Sequence, residues 1–382
     1  MKFKTVVKLS VFVSVLLFCI AVGFYAFTQL DMTKRNREVN LYSLIPSNCT
    51  GVLESNQTTA LLNDLSSLNY HKELVQFQFP GLFEFLLHHL NEYAVNNAHG
   101  LSSQMNHLMV SFHQPGTNRD QVVYFRTGES DIQLFEDMIQ EYAPVNFLPK
   151  EETYQGKTIT VYPLGQDEFL AAYMGDGYMA LSFQKRLIEE VIDAQQDKKS
   201  LNEDPVFAQI LQKKKSHSSL TLYGRSASFP FLKLNQSCWS EYEFHLNSDV
   251  LYLTGETYLP DSCLSLSDIE QPILGQNSVY EKDWLLSTHR DTTSVFMEKT
   301  HHLMEEGERS LFNQCVANLS KDAAYTMVVD MERVVENSEL FAGCLPSLML
   351  NHATLLRSFI VSAQLSLTQN RPSHVWVLTY KN

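Results

Sequence analysis

Two histidine–glutamate pairs come closest to a metal-binding pattern in residue type and spacing. His88 and Glu92 are four residues apart, as are His301 and Glu305. On a helix this spacing places both side chains of a pair on one face, where they could supply two ligands to a metal ion. Neither pair has the HExxH arrangement, and the sequence places no third ligand beside either. We therefore interpret them as surface or helix-end histidines and predict no metal site.

The other polar motifs also have simpler interpretations than catalysis. The chain contains neither a Gly-x-Ser-x-Gly nucleophile elbow nor a Gly-x-x-x-x-Gly-Lys-Ser/Thr phosphate loop. Gly175-Asp176-Gly177 joins two predicted strands, so it lacks the helix N-terminus that binds phosphate. The adjacent carboxylates are typical of solvated faces; they are Glu151-Glu152, Glu189-Glu190 and Glu305-Glu306. The lysine run Lys213-Lys214-Lys215 lies at the end of a predicted helix, where its charge complements the helix dipole. The sequence therefore predicts no catalytic residue and no cofactor.

The N-terminal stretch Leu9–Phe27 contains nineteen residues without a charge. At about 1.5 Å per residue, a helix of this length spans the roughly 30 Å apolar core of a bilayer. The alternatives are a cleaved signal peptide and a lipoprotein signal ending at Cys19. Both require a small residue before the cleavage site, and Phe18 precedes the cysteine. We therefore predict an uncleaved anchor, with its short N-terminal tail in the cytoplasm.

The charge of the chain is unevenly distributed. The net charge is −14, with residues 1–40 at +4 and the remainder at −18. An acidic body argues against nucleic acid as a partner, because neutralising phosphates requires a basic face. It also argues against binding to anionic lipid through a polybasic segment. We therefore expect contact with the membrane only through the N-terminal helix.

The six cysteines include no Cys-x-x-Cys pair, which disfavours a zinc ribbon or a thioredoxin-type site. Cys19 lies in the predicted anchor. Outside the cytoplasm, Cys238–Cys263 and Cys315–Cys344 could form disulfides. Free buried thiols are the alternative, and the sequence leaves both open.

The clearest predicted element is a hairpin over residues 241–258. Apolar and polar residues alternate along both of its strands, and its loop places Leu246 opposite Leu251 and Phe244 opposite Leu253. Similar patterns divide the rest of the chain into short elements. Strands are predicted at 50–54, 108–113, 121–127, 158–162, 169–174, 178–183 and 219–223, and helices begin after Asn56, at about Gly81, at Ser130, near Leu187 and at Pro205.

A weak internal repeat is present. Residues 49–54 resemble residues 292–297, and a helical stretch follows each. Residues 110–114 resemble 365–369, and the strands that return after them match in type. The order strand, helices, long hairpin thus occurs twice, which favours a duplicated α+β module over chance similarity of short strands.

The layout resembles an uncharacterised, Bacteroidetes-type family of single-anchor envelope proteins, known only as a domain of unknown function. The residues that carry the resemblance are Ile45–Thr50, Gly177–Ser182, Leu187–Ile192, Ser200–Phe207 and Leu253–Thr257. The second copy departs from the pattern, because Leu286-Ser287-Thr288 stands where a proline-led entry is expected. The resemblance implies an envelope location and supplies no catalytic residue.

These observations predict an α+β fold: an N-terminal transmembrane helix, then two related α+β modules with mainly antiparallel sheets and helices packed on one face. The predicted segments are a cytoplasmic tail (1–8), a signal anchor (9–30), a linker (31–45), a first module (46–235) and a second, shorter module (236–382). We expect a single-pass inner-membrane protein with its bulk in the periplasm. The predicted role is non-enzymatic binding or scaffolding with an envelope protein partner. The alternative is an envelope hydrolase whose site is assembled from distant residues.

Overall fold

The computed structural model describes most of the chain after residue 38. The described residues are 39–70, 82, 86, 89, 106–142 without 118, 148–213 without 166–167, 218–232, 237–260, 279–281, 284–289, 310–320, 322–368 and 371–381. The predicted tail and anchor, residues 1–30, lie outside them. Within the described residues, no helix is both long enough and apolar enough to cross a membrane.

Fifteen strands, all paired antiparallel, form one sheet in the described part of the chain. They are β1 (Gly51–Ser55), β2 (Leu108–Phe112), β3 (Gln121–Arg126), β4 (Lys150–Tyr154), β5 (Lys157–Gly165), β6 (Glu168–Gly175), β7 (Tyr178–Ser182), β8 (Leu220–Gly224), β9 (Trp239–Leu246), β10 (Val250–Tyr258), β11 (Val279–Glu281), β12 (Leu285–His289), β13 (Tyr325–Asp330), β14 (Phe359–Thr368) and β15 (Arg371–Tyr380). Their order across the sheet is β11-β12-β13-β14-β15-β10-β9-β8-β1-β2-β3-β7-β6-β5-β4.

The α-helices with defined bounds are short and lie between the strands. They are α1 (Thr58–Ser66), α2 (Glu129–Tyr142), α3 (Lys185–Asp197), α4 (Pro205–Lys213), α5 (Leu311–Ala317), α6 (Met331–Glu336), α7 (Ser347–Asn351) and α8 (Ala353–Leu356). Helix α4 begins where the sequence predicts it. Asp204 Oδ1 accepts the backbone N–H groups of Val206 and Phe207 at 2.9 and 3.1 Å, which satisfies two donors of the first turn.

Both predicted hairpins form. In β9–β10, Leu246 lies opposite Leu251 and Phe244 lies opposite Leu253, as predicted from the alternating pattern. In β6–β7, the turn ends at Gly177, whose φ of +83° is a conformation that favours glycine.

Helices cover both faces of the sheet near β3 and β7. Phe135 and Ile139 of α2 pack against the face that carries Leu170 and Ala172 of β6. The next residue along β6, Tyr173, points to the opposite face, because side chains alternate along a strand. There its hydroxyl bonds to Gln195 of α3 at 2.8 Å. The strands between α2 and α3 are therefore buried on both sides.

The same arrangement recurs at the other end of the sheet. Met327 and Val329 of β13 pack in a cluster with Val334 of α6 and Leu356 of α8. Val328, which lies between them and points the other way, packs in a second cluster with residues of α5. The sheet there is again a middle layer between helices.

The predicted fold class is therefore wrong. The described residues do not form two α+β modules with helices on one face; they form one antiparallel sheet with helices on both faces. Strand β8 pairs with β9 along its whole length, so backbone hydrogen bonds carry the sheet across the predicted boundary between residues 235 and 236. The contact pattern likewise groups Asn40–Asn382 as one unit.

A local similarity remains inside the single sheet. Strands β1, β2 and β3 are adjacent, with β2 paired to both neighbours, and β13, β14 and β15 have the same arrangement. Helical residues separate the first strand from the hairpin in both cases. The predicted second copy began instead at residues 292–297, which lie outside the described residues.

Gly255 marks a close approach between neighbouring strands. A Cβ at this position would overlap the backbone carbonyl oxygen of Glu241 in β9 and lie 3.2 Å from Nε2 of His374 in β15. Gly224, in the same sheet, has open space instead, with Oγ of Ser226 the nearest atom to a built Cβ at 3.8 Å.

We expect Gly255→Ala to lower the free energy of unfolding by about 3 kcal/mol, because the methyl group forces two backbones apart. Gly224→Ala is the matched control and is expected to change this energy by less than about 1 kcal/mol. Urea unfolding followed by circular dichroism measures both. Equal stability of the two variants would contradict the close approach at Gly255.

Candidate functional site

The residues that suggested metal binding lie largely beyond the described part of the chain. His88, Glu92, His301 and Glu305 are all outside it. Within the part that the structure describes, no group of three or more His, Cys, Asp or Glu side chains is arranged to hold a metal ion.

Three of the described carboxylates in the adjacent pairs, Glu152, Glu189 and Glu190, lie in ion pairs at the surface. Glu152 binds Lys150 at 2.9 Å and also binds Lys185, which reaches Glu189 at 3.2 Å. These hydrogen bonds, chiefly that from Lys185, lower the pKa of Glu152 to about 2. Lys213, the described member of the lysine run, lies 3.6 Å from Glu256. Such exposed pairs contribute little to stability.

The cysteines described by the structure are buried and form no disulfide among the described residues: Cys49, Cys238, Cys315 and Cys344. Cys315 packs with Val328 on one face of the sheet, whereas Cys344 packs with Val329 on the other. The sheet therefore separates the two thiols of the predicted Cys315–Cys344 pair. Cys263 lies outside the described residues. Burial raises the pKa of Cys49 to about 12, so its thiol is a poor nucleophile at neutral pH.

The most concentrated buried polar group surrounds Glu54 of β1. Its Oε2 atom accepts hydrogen bonds from the hydroxyls of Tyr42 at 2.6 Å and Tyr223 at 3.2 Å. Its Oε1 atom lies 3.0 Å from Nε2 of His107. We call these four residues the Glu54 cluster. Only 2% of the Glu54 side chain is exposed, against 14% for His107.

Four separate segments build the Glu54 cluster. Glu54 pairs with Thr221 of β8, and Val52 pairs with Tyr223, so Glu54 and Tyr223 share one face of the sheet. Tyr42 comes from the short 3-10 helix Leu41–Ser43, and His107 directly precedes β2. Chain distances of 12 to 169 residues separate these side chains from Glu54, so no local motif indicates the cluster.

Burial and mutual contact set the protonation of the cluster. Burial raises the pKa of the Tyr42 hydroxyl well above its ordinary value of 10.0, and Tyr223 and Glu54 raise it further. The pKa of Tyr223 is also raised, first by burial and then by the nearby Glu54 charge. Both phenols therefore remain protonated and donate to the carboxylate, which provides the partners that a buried charge requires.

A second buried group joins Ser111, His113 and Tyr124 on β2 and β3. The Ser111 hydroxyl lies 2.7 Å from Nε2 of His113 and 3.0 Å from the Tyr124 hydroxyl. A serine–histidine pair of this kind suggests a hydrolase nucleophile. In the described residues, however, Nδ1 of His113 has no hydrogen-bond partner, so no carboxylate orients the imidazole. Burial, helped by the Arg186 charge, lowers the pKa of His113 to about 4.

Arg225 contacts three parts of the chain beside the sheet face that carries Glu54 and Tyr223. Its guanidinium donates to the backbone carbonyls of Ser47 and Cys49, the latter at 3.0 Å, and lies 3.3 Å from Asp204. The same group stacks over the Trp239 ring at 4.7 Å. Because Asp204 also caps α4, this arrangement holds the N-terminal segment, the helix and β9 in one register.

Part of the same sheet face is not covered by the described helices. It lies on the neighbouring strands β9, β10 and β15. Helix α4 contacts β9 and β10 on one side of it, and α5 contacts β13 and β14 on the other. Its members are all at least partly exposed, with Tyr252 at 38% and Val375 at 36%. We call it the open strip; its residues are Glu243, His245, Tyr252, Thr254, Val375 and Val377.

The open strip combines an apolar centre with a polar border. Tyr252 pairs with His245 and Val377, and Thr254 pairs with Glu243 and Val375, so the residues form two rows across the strands. Glu243 makes no ion pair within the described residues. Exposed apolar side chains in the interior of a sheet, rather than at its edge, are typical of a surface that contacts another molecule.

A family model described as "Protein of unknown function (DUF3352)" matches residues 128–238. A domain of unknown function is therefore present in the chain. The match spans β4 to β8 with helices α2 to α4, which is less than a third of the chain. Three of the five stretches that carried the resemblance in the sequence lie inside it. It includes Tyr223 but no other residue of the Glu54 cluster, and it ends before the open strip.

No curated protein and no solved structure matches the chain. The matched family description names neither a bacterial group nor a cellular location. The site therefore has to be interpreted from its own chemistry.

A third buried histidine makes the stability of the folded protein depend on pH. His374 of β15 is buried among apolar side chains, with the Tyr242 ring 4.6 Å away. Neither of its ring nitrogens has a hydrogen-bond partner in the described part of the chain. Burial lowers the pKa of His374 from 6.5 to about 4, and the nearby Glu241 carbonyl only partly opposes this shift.

We expect stability to fall as the pH decreases from about 6.5 to about 4. In this interval the unfolded chain binds a proton at His374 and the folded chain does not, so protons favour unfolding. One such histidine contributes a slope of at most about 1.4 kcal/mol per pH unit. In urea unfolding between these pH values, His374→Leu should reduce the slope by about this amount.

His245→Leu is the matched control, because the imidazole of His245 is exposed on strand β9 of the same sheet. This variant should show the same slope of unfolding free energy against pH as the wild-type protein. An unchanged slope in His374→Leu would contradict a neutral, buried His374 in the folded protein.

Proposed function

We propose that the chain is a non-enzymatic binding or scaffolding protein of the cell envelope and that the open strip is its contact surface. The observation that carries the proposal is the exposure of Tyr252 and Val375 on the paired strands β10 and β15, in the interior of the sheet. Interior strands normally bury their apolar side chains under helices, as β13 does beneath α5. The open strip lacks such a cover among the described helices.

The composition of the open strip suits a protein partner. An aromatic ring beside aliphatic groups offers an anchor that loses little side-chain entropy on binding, and a polar border gives orientation. Glu243 is the strip's acidic residue, and the whole chain is strongly acidic. These charges favour a partner with basic residues around an apolar contact and disfavour nucleic acid.

The location is part of the proposal. The uncharged run Leu9–Phe27 has the length of a membrane span, and the acidic body follows it. We infer a single-pass protein of the inner membrane with residues after the anchor in the periplasm. The partner is then an envelope protein that meets the tethered domain at the membrane surface.

One observation favours the alternative, an envelope hydrolase with a site assembled from distant residues. The Glu54 cluster brings a carboxylate, an imidazole and two phenols together from four segments. A general base must reach its substrate, however, and Glu54 is almost fully buried with its carboxylate oxygens occupied by the chain's own donors. The open strip therefore supports the preferred function better than the Glu54 cluster supports hydrolysis.

Site-specific photocrosslinking in intact cells tests the contact surface. We place p-benzoylphenylalanine at position 252 or 375 of the full chain and irradiate cells that express it. Matched controls carry the same group at position 335 or 340, because Val335 and Leu340 are exposed to similar extents, 42% and 43%, on other elements. We expect one discrete adduct from the open strip and none from the controls.

Adding Glu243→Lys to the chain labelled at position 252 should abolish that adduct, since it reverses the charge that orients the partner. The same adducts from all four positions, or no adduct from positions 252 and 375, would contradict the proposed surface.

Reporter fusions after residue 40 and at the C-terminus test the location. Alkaline phosphatase is active only outside the cytoplasm, so we expect activity from both fusions, with the N-terminal anchor intact by mass spectrometry of the purified protein. An inactive C-terminal fusion that is nevertheless produced in full length would place the bulk of the chain in the cytoplasm and overturn the envelope location.

A further inference from the structure

The geometry points to a metal-binding function of the Glu54 cluster: Glu54, Tyr42, Tyr223 and His107 bind one ferric ion. Two phenol oxygens lie against Oε2 of Glu54 and the His107 Nε2 atom lies against Oε1, and the four side chains come from separate segments of the chain. This inference is independent of the contact surface proposed above, because the open strip shares no residue with the cluster.

The spacing of the donors matches a small octahedral coordination sphere. Neighbouring oxygen ligands of an octahedral ion with bonds of about 2.0 Å lie about 2.9 Å apart. In the Glu54 cluster, the oxygens of Tyr42 and Tyr223 lie 2.6 and 3.2 Å from Glu54 Oε2. Both separations are therefore close to the distance between neighbouring ligands of such an ion.

The charge balance selects a trivalent ion. One carboxylate and two phenolates carry three negative charges, and a neutral imidazole from His107 adds none. A trivalent cation and these ligands together have zero net charge, whereas a divalent cation leaves one uncompensated negative charge. The difference matters because Glu54, Tyr42 and Tyr223 are buried, where an uncompensated charge is costly.

Binding is an exchange of protons for the ion, without a redox step. In the absence of metal, burial keeps both phenols protonated, and they donate to the Glu54 carboxylate. When the ferric ion binds, each phenol oxygen forms a bond to the metal and loses its proton to solvent. Two protons are therefore released for each ion, and His107 binds through the lone pair of its Nε2 atom.

The chemistry of the donors and their position agree with this assignment. Carboxylate and phenolate oxygens are hard ligands, imidazole is a common iron ligand, and the Glu54 cluster contains no thiolate that would favour a softer metal. His107 is its most exposed member. Tyr42 lies in a single short helical turn near the start of the described chain.

Visible spectroscopy tests the inference, because ferric phenolate bonds absorb by charge transfer. We add ferric nitrilotriacetate to the purified, metal-free full chain. We expect a visible band that is absent from the reagent alone and saturates at one ion per chain. Tyr42→Phe and Tyr223→Phe should each weaken the band, and the double variant should lose it.

Tyr124→Phe is the matched control, since Tyr124 is a buried tyrosine on the same sheet face that bonds to Ser111 instead. It should retain the full band. Circular dichroism of each variant establishes that it is folded. A band that survives in the folded double variant would identify adventitious iron and overturn the assignment.

A measurement on the wild-type protein remains decisive if a variant fails to fold. Gallium(III) nitrilotriacetate carries the same charge and adds no visible absorption of its own. Ultraviolet difference spectra should show two tyrosines converted to phenolate per bound ion. No phenolate signal with gallium, or no visible band with iron, would refute the site.

Discussion

The backbone pairing of β1 with β8 is the constraint on which the rest of the structure depends. It brings Gly51–Ser55 against Leu220–Gly224 across about 170 residues of chain. On its other edge β1 pairs with β2, and β8 in turn pairs with β9. Removing β1 would separate the ladder that ends at β4 from the ladder that ends at β11. Such a long loop must close before these hydrogen bonds form, so the centre of the sheet depends on contacts that are costly in chain entropy.

A strand in this position is buried on both faces, and this explains the polar groups around it. Every residue of β1 is buried, including Glu54. A charged residue can remain in such a strand only if partners supply the hydrogen bonds that water would make. Tyr42, Tyr223 and His107 do so, which fixes the N-terminal helical turn and the start of β2 against the centre of the sheet. The Glu54 cluster is thus a structural requirement and a candidate ligand set at the same time.

The sequence predicts the local elements well because their determinants are local. Alternation sets the register of β9 with β10, glycine permits the turn at Gly177, and Asp204 with Pro205 starts α4. The single sheet could not be predicted, since nothing in residues 219–246 distinguishes a strand that ends one module from a strand that continues into the next. Helices on both faces could have been suspected from Val52-Leu53 and Val122-Val123, where adjacent apolar residues break the alternation of a half-exposed strand.

The candidate sites fall outside the sequence prediction for a further physical reason. Metal-ligand motifs are recognised when a helix or a tight loop holds the ligands at fixed spacing, and this directs attention to histidines four residues apart. In the Glu54 cluster the spacing is set by strand pairing, and tyrosine, a common core residue, provides half of the donors. The sequence does not indicate the open strip either, because its six residues occupy ordinary strand positions. What distinguishes them from the covered residues of β13 is only the place where α4 ends and α5 begins, a property of helix packing that no single strand encodes.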